Sequence, residues 1–144
     1  MKKTATDEFL SDQGGQHWFA PASAWLSNLV VCYVARQSLG HCERFSVFPS
    51  ARVELLFNFG SPYKSNSLAG QALRTLNSAS LLAPRVALSE HQCGPHTDWF
   101  LVQLTVSGCQ TLLGSCLGDF LQRDCSLRDV IGVSADELYE RIAG

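Results

Sequence analysis

Charged side chains are scarce in this sequence. They make up 17% of its 144 residues, where globular domains average roughly 25%. A surface so poor in charge favours extra burial, against a second subunit or a neighbouring domain. The charge that is present is balanced and scattered: 11 Lys and Arg against 13 Asp and Glu, for a formal net charge of -2. Of the basic residues, only Lys2 and Lys3 stand side by side. A nucleic-acid-binding chain carries a basic stripe or patch, and its absence argues against this chain gripping DNA or RNA by itself.

Long apolar runs are missing too. The most apolar stretch, "AWLSNLVVCYVA", is broken by Ser27 and Asn28 and falls short of the ~20 residues that a spanning helix needs. The opening "MKKTATDEFLSDQGG" has two lysines but no apolar core, so it does not read as a secretory signal. The expected compartment is the cytoplasm, with no membrane partner. The six cysteines (Cys32, Cys42, Cys93, Cys109, Cys116 and Cys125) are then expected as reduced thiols that behave as small apolar groups. No C-x-x-C pair, G-x-S-x-G elbow, G-x-G-x-x-G turn or P-loop occurs, and there is no internal repeat or low-complexity tract.

What is present is alternation. In "SARVELLFNFGSPY", residues 50–63, Val53, Leu55, Phe57 and Phe59 fall on every second position, and Gly60, Ser61 and Pro62 close the run. This predicts a strand ending in a turn. A second strong strand is "TDWFLVQLTV", with Phe100, Val102, Leu104 and Val106 on an apolar face and Trp99, Leu101, Gln103 and Thr105 on a mixed one. "LVVCYVARQ", "RFSVFP" and "SLLAPRVALSEHQ" predict further strands, with Pro49 and Pro84 as breaks. "PASAWLSNLV" predicts a short helix with Pro21 in its first turn. Residues 61–80 predict an exposed hairpin turning near Gly70.

After Ser107 the period becomes helical. "GCQTLLG" and "SCLGDFLQ" predict short helices stopped by glycines. "SLRDVIG" has Ser126 as N-cap and Gly132 just past its end. "VSADELYERIAG" predicts a helix with Ser134 and Glu137 as a capping box, and with Val133 and Leu138 at the spacing of a hydrophobic staple. The chain stops in mid-helix by pattern, as expected of a piece of a longer parent. One domain is expected at this length: a flexible arm over 1–16, a β-barrel over 17–106 and a helical segment over 107–144. Strands first and helices last argue for a sandwich or barrel closed by a helical tail.

Candidate chemistry is sparse. "HQCGPH" brings together His91, Cys93 and His96, with His41 and Cys42 as a second group, but the spacing matches no common zinc module. "GSCLG" sets Cys116 between glycines, which reads as a buried thiol rather than a nucleophile. Glu54 and Glu90 lie on separate predicted strands, so no acid–base pair is defined. Binding remains: Phe45, Phe48, Phe57, Phe59, Trp99 and Phe100 all fall on predicted strands. Aromatic walls of this kind either fill a core or line a small-molecule pocket.

The order of these motifs resembles a known family. "PASAWLSNLVVCYVA", then a proline, "ELLFNFG", a polar excursion, and "FLVQLTVSGCQTLLGSCLGDFLQRDCSLRDVIGVSADELYERI" resemble the N-terminal effector domain of a group of AraC-type bacterial transcriptional regulators, over residues 20–143. Ser107-Gly108-Cys109 stands where that group has Pro-Gly-Gly, and "PSAR" replaces its usual acidic turn. The resemblance implies a mainly β fold with α elements: a cupin-like β-barrel, of the double-stranded β-helix type, followed by a C-terminal helical segment. It implies a non-enzymatic domain that needs no cofactor and that senses an unknown small-molecule effector, mediates homodimerisation, or does both. DNA is then met only through a C-terminal helix-turn-helix region outside this chain. The candidate ligand contacts are Glu54, Phe57, Phe59, His91, His96, Trp99 and Gln103; no catalytic or metal residue is assigned. Leu138 and Ile142, four residues apart on one helix face, are candidates for dimerisation. The alternatives are a stand-alone cupin-like metal-dependent enzyme and a ligand-free interaction domain.

Overall fold

The computed structural model describes residues 16–40, 42–66, 71–114, 117–120 and 123–144. In chain order the strands are β1 (Gln16–Pro21), β2 (Val30–Leu39), β3 (Glu43–Val47), β4 (Glu54–Asn58), β5 (Tyr63–Ser65), β6 (Arg74–Thr75), β7 (Ala79–Leu82), β8 (Ser89–Cys93), β9 (His96–Leu104) and the short β10 (Cys125–Ser126). The helices are α1 (Val106–Leu113), α2 (Leu117–Phe120), α3 (Leu127–Ile131) and α4 (Ser134–Ala143). Of the expected arm, residues 1–15 lie outside the described residues; Gln16 already belongs to β1.

The fold is mainly β with a helical C-terminal segment. Two antiparallel sheets form, a large one with strand order β1-β2-β9-β4-β7-β10 and a small one with order β3-β8-β5-β6. Among the described residues no strand pairs from one sheet to the other, so the ladders leave two open sheets and no closed barrel. From β2 to β9 the chain changes sheet at every connection except the β5–β6 hairpin. The breaks in the sequence mark those crossings. Pro49 follows β3, Gly60 to Pro62 follow β4, Pro84 follows β7, and Gly94-Pro95 separates β8 from β9. Proline has no N–H to give a ladder, so the chain leaves its sheet there.

Alternation then sorts the side chains. On β4, Leu55 and Phe57 join Val53 on one face, against Leu81, Val102 and Leu104 of the neighbouring strands and Leu113, Leu127 and Ala135 of the helical segment. Leu56 faces the other way, into a second cluster with Cys32, Val34, Leu82, Trp99 and, from the small sheet, Tyr63 and Cys93. The large sheet is thus buried on both faces, by helices on one side and by the small sheet on the other. The two sheets are also tied by a buried ion pair: Arg36 of β2 donates through Nε to Glu43 Oε2 at 2.9 Å and through Nη2 to Oε1 at 2.6 Å.

Several local expectations are corrected. "PASAWLSNLV" forms only a 3-10 turn, Ala24–Leu26; Trp25 is 81% exposed, so the segment has no apolar face to hold a longer helix. The strand at Trp99 ends at Leu104, because Thr105 caps α1 by accepting from the Gly108 N–H at 2.9 Å. Val106 is therefore an exposed first-turn residue, not part of the strand's apolar face. In the 61–80 segment, β5 and β6 do pair as a hairpin, but Tyr63 and Ser65 are buried because β5 also pairs with β8. Gly70 itself lies outside the described residues. Ser134 is the first residue of α4 rather than its cap. The helix winds straight out of the turn after α3, where Gly132 adopts φ 65° and its carbonyl accepts from Ala135. Val133 is 64% exposed and so does not staple Leu138.

Ser107, Gly108 and Cys109 lie in the first turn of α1, and the packing there requires the glycine. A Cβ on Gly108 would lie 2.0 Å from the Leu29 carbonyl oxygen, so α1 begins in direct contact with the backbone that leads into β2.

Candidate functional site

A cavity of about 440 Å³ opens between the two sheets. It lies within the range of roughly 300–1,000 Å³ usual for small-molecule sites. Its walls are mostly apolar: Val31 and Val34 from β2, Leu82 from β7 and Leu101 from β9 face Phe45 and Val47 from β3. Phe48, 63% exposed, and Phe19, 43% exposed, stand at its rim.

A line of polar groups crosses one wall. The β-sheet register sets Cys32 opposite Gln103 and Gln103 opposite Glu54. The Cys32 thiol donates to Gln103 Oε1 at 3.3 Å, and Gln103 Nε2 donates to Glu54 Oε2 at 3.1 Å. Arg85 reaches in from just beyond β7, where its backbone bridges to Ser50, and donates through Nη1 to Glu54 Oε1 at 2.9 Å. Glu54 and Arg85 are both buried. Arg52 adds a second guanidinium at the exposed rim.

A shift at the start of β2 makes this line possible. The register jumps between Val30 and Cys32, so Val30 packs on the helical side while Val31 and Cys32 both reach the cavity. A one-residue bulge re-aims the side chains that follow it.

The opposite wall, on the small sheet, is self-satisfied. Tyr63 Oη lies 2.6 Å from His91 Nδ1, and Ser89 Oγ lies 3.1 Å from Nε2. Phe45 stacks on the His91 ring with centroids 5.5 Å apart. Burial, reinforced by the nearby Arg85 charge, pulls the His91 pKa down to about 3, so the ring is neutral near pH 7. Burial pushes the Tyr63 phenol well above its ordinary value. With the phenol donating to Nδ1, the Nε2–H is left to donate to Ser89. Burial, and after it the Glu54 carboxylate, pushes the Cys32 thiol up to about 11.

A thiol held protonated is a poor nucleophile, and an imidazole with a pKa near 3 is a poor general base at neutral pH. Among the described residues no group of three or more His, Cys, Asp or Glu is placed to hold a metal ion. Cys32, Cys42, Cys93, Cys109 and Cys125 are free thiols; His41 and Cys116 lie outside the described residues. Among the described residues no helix is long and apolar enough to cross a membrane.

Of the residues singled out in the sequence, Glu54, His91, Trp99 and Gln103 come together around the cavity. Phe57 does not line it. That side chain is fully buried on the helical side of the large sheet, because it is odd-numbered on β4 and Glu54 is even. Phe59 is on the helical side as well, its ring 4.9 Å from Tyr139 of α4. His96 is exposed at the start of β9, away from the cavity, where its backbone N–H donates to Ser61 Oγ. Leu138 and Ile142 are partly buried against the helical-side core. Arg85, Arg52 and Cys32 were missed. Arg85 had a signal: it is the one charge in "SLLAPRVAL", directly after a sheet-breaking proline.

Fold and site together define a two-sheet antiparallel β domain with an internal, largely apolar cavity. Compared by sequence, the chain matches no protein-family model and no curated protein.

Proposed function

We propose that this chain is a small-molecule sensor domain of the kind that regulates transcription. The observation that carries the reading is the cavity: apolar walls around one converging polar line, Cys32–Gln103–Glu54–Arg85. The ordered resemblance to AraC-type effector domains supports the same reading. So does the alternation of the chain between two sheets, the habit of jelly-roll and cupin folds, although the ladders stop short of a closed barrel. In this reading the domain works in the cytoplasm as a homodimer, and DNA is met by a helix-turn-helix region of the parent protein.

Differential scanning fluorimetry against a panel of small metabolites tests the proposal. A ligand present at 100 times its Kd stabilises the native state by about 2.7 kcal/mol. That corresponds to a rise of several degrees in a domain of this size. A panel in which nothing raises Tm leaves the ligand-free interaction domain as the better reading.

A further inference from the structure

We infer that the cavity takes a small organic monocarboxylate, its apolar body between the sheets and its carboxylate on the Arg85 and Arg52 guanidinium groups. This rests on the sensor reading and specifies the ligand class.

The argument is an inventory of what the polar lining has left to offer. Glu54 already accepts on both oxygens, from Arg85 at 2.9 Å and from Gln103 at 3.1 Å. Gln103 Oε1 already accepts from Cys32. His91, Tyr63 and Ser89 bond to one another. Each of these acceptors, and Ser50 Oγ with them, therefore already takes at least one hydrogen bond. The donors are not all engaged. A guanidinium carries five N–H groups, and among the described residues the Arg85 side chain uses only Nη1, on Glu54. The Arg52 guanidinium has no hydrogen-bond partner among them. A complementary ligand must bring acceptors. Its charge follows from the two arginines and one carboxylate that line the cavity, which leave one positive charge to be balanced. A carboxylate meets both needs and matches the planar guanidinium fork. An amine fails on charge, since it would add a third cation beside the two arginines. The rest of the surface, with Val34, Phe45, Leu82 and Leu101, asks for an apolar or aromatic body.

The test is isothermal titration of the whole chain with three probes that share one phenylpropyl skeleton: 3-phenylpropionate, 3-phenylpropionamide and 3-phenylpropylamine. Binding of the carboxylate at least tenfold tighter than the amide, with no binding of the amine, is the expected result. R52Q lies at an exposed position, so it should fold normally; it should weaken the carboxylate three- to tenfold and leave the amide unchanged. R85Q, checked for folding by circular dichroism, should abolish the preference for carboxylate over amide. If R85Q does not fold, the wild-type and R52Q ratios decide. Amide or amine binding as tight as the carboxylate overturns the ligand class while the sensor reading stands. Failure of all three probes, together with a metabolite panel that raises no Tm, overturns both. Failure of all three with a different, uncharged compound binding overturns the carboxylate alone.

Discussion

The two faces of the large sheet are filled by opposite rules. On the helical side the centre of the cluster is apolar and filled: Phe57, Leu81 and Leu127 are fully buried, and aromatic rings abut, with Phe57 6.4 Å and Tyr33 5.8 Å from Phe100. On the side of the small sheet, the same strands present Glu54, Gln103 and Cys32 to open volume. Residues 54 and 57 are three apart on one five-residue strand, yet the first lines the cavity and the second fills the core. The period of two makes this separation. It lets a domain keep a rigid wall behind its pocket while the pocket itself stays incompletely packed.

The largest expected effect tests that division at its stable side. Phe57→Ala removes a fully buried ring from the helical-side core, and such truncations cost about 3–5 kcal/mol. Urea denaturation should show the loss as a lower midpoint at unchanged slope. Ligand affinity of the remaining folded protein should not change. A Phe57→Ala protein that is as stable as wild type but has lost its ligand would invert the assignment of the two faces.

Next comes the polar wall. Arg85→Met leaves Glu54 buried without its cation, and breaking a buried pair from one side costs about 3 kcal/mol. The double variant Arg85→Met with Glu54→Leu should recover much of that loss, because removing both charges removes the desolvation cost with the attraction. A double-mutant cycle by chemical denaturation gives the coupling. Equal losses in the single and double variants would mean that the pair does not interact as drawn.

The behaviour of His91 gives the third test. Its folded pKa, about 3, lies below the ordinary value near 6.5. The buried neutral ring thus contributes stability that is complete above pH 6.5 and is lost as pH falls from there toward 3. Between pH 8 and pH 5 this amounts to about 2 kcal/mol. The unfolded chain binds the proton in that window and the folded chain does not. His91→Gln should remove this component of the acid sensitivity, whatever it does to stability at pH 8. Parallel denaturation curves at both pH values check it, and an unchanged pH dependence in the variant would place the titrating group elsewhere.

These residues also show what could be read from the sequence. Alternation in residues 53–59 and 99–104 marked both central strands and grouped their faces correctly. It could not say which face was the pocket, because both faces of the sheet are buried and each carries large apolar residues. Phe57 and Phe59 were assigned to a ligand on the strength of being aromatic, and the helical segment claims them instead. Glu54 and Gln103 were visible as polar residues inside apolar strands. Arg85 showed only as a lone charge after a proline, and its place at the cavity could not be read, since it lies on an irregular connection whose position is set by the Ser50–Arg85 bridge, a contact 35 residues apart in sequence. The start of α4 was misread because a Ser-x-x-Glu pattern is local, while the true start is dictated by the turn at Gly132 before it.

The smallest effect probes a polar contact that α4 makes with the sheet. The Tyr139 hydroxyl donates to the Asn58 carbonyl at 3.0 Å, just where β4 ends and the chain leaves for the small sheet. Tyr139 is only partly buried and its ring keeps its contact with Phe59 in either form. Tyr139→Phe therefore loses one hydrogen bond at a site that water can reach, a change of about 1 kcal/mol. Hydrogen exchange adds the sharper readout. The amide of Asn58, bonded to Ser78 O at 2.8 Å, should exchange faster in the variant, while amides of β8 on the small sheet should be unaffected. Equal acceleration on both sheets would mean that α4 clamps the whole domain, and that the helical side and the cavity side are less separable than their side chains suggest.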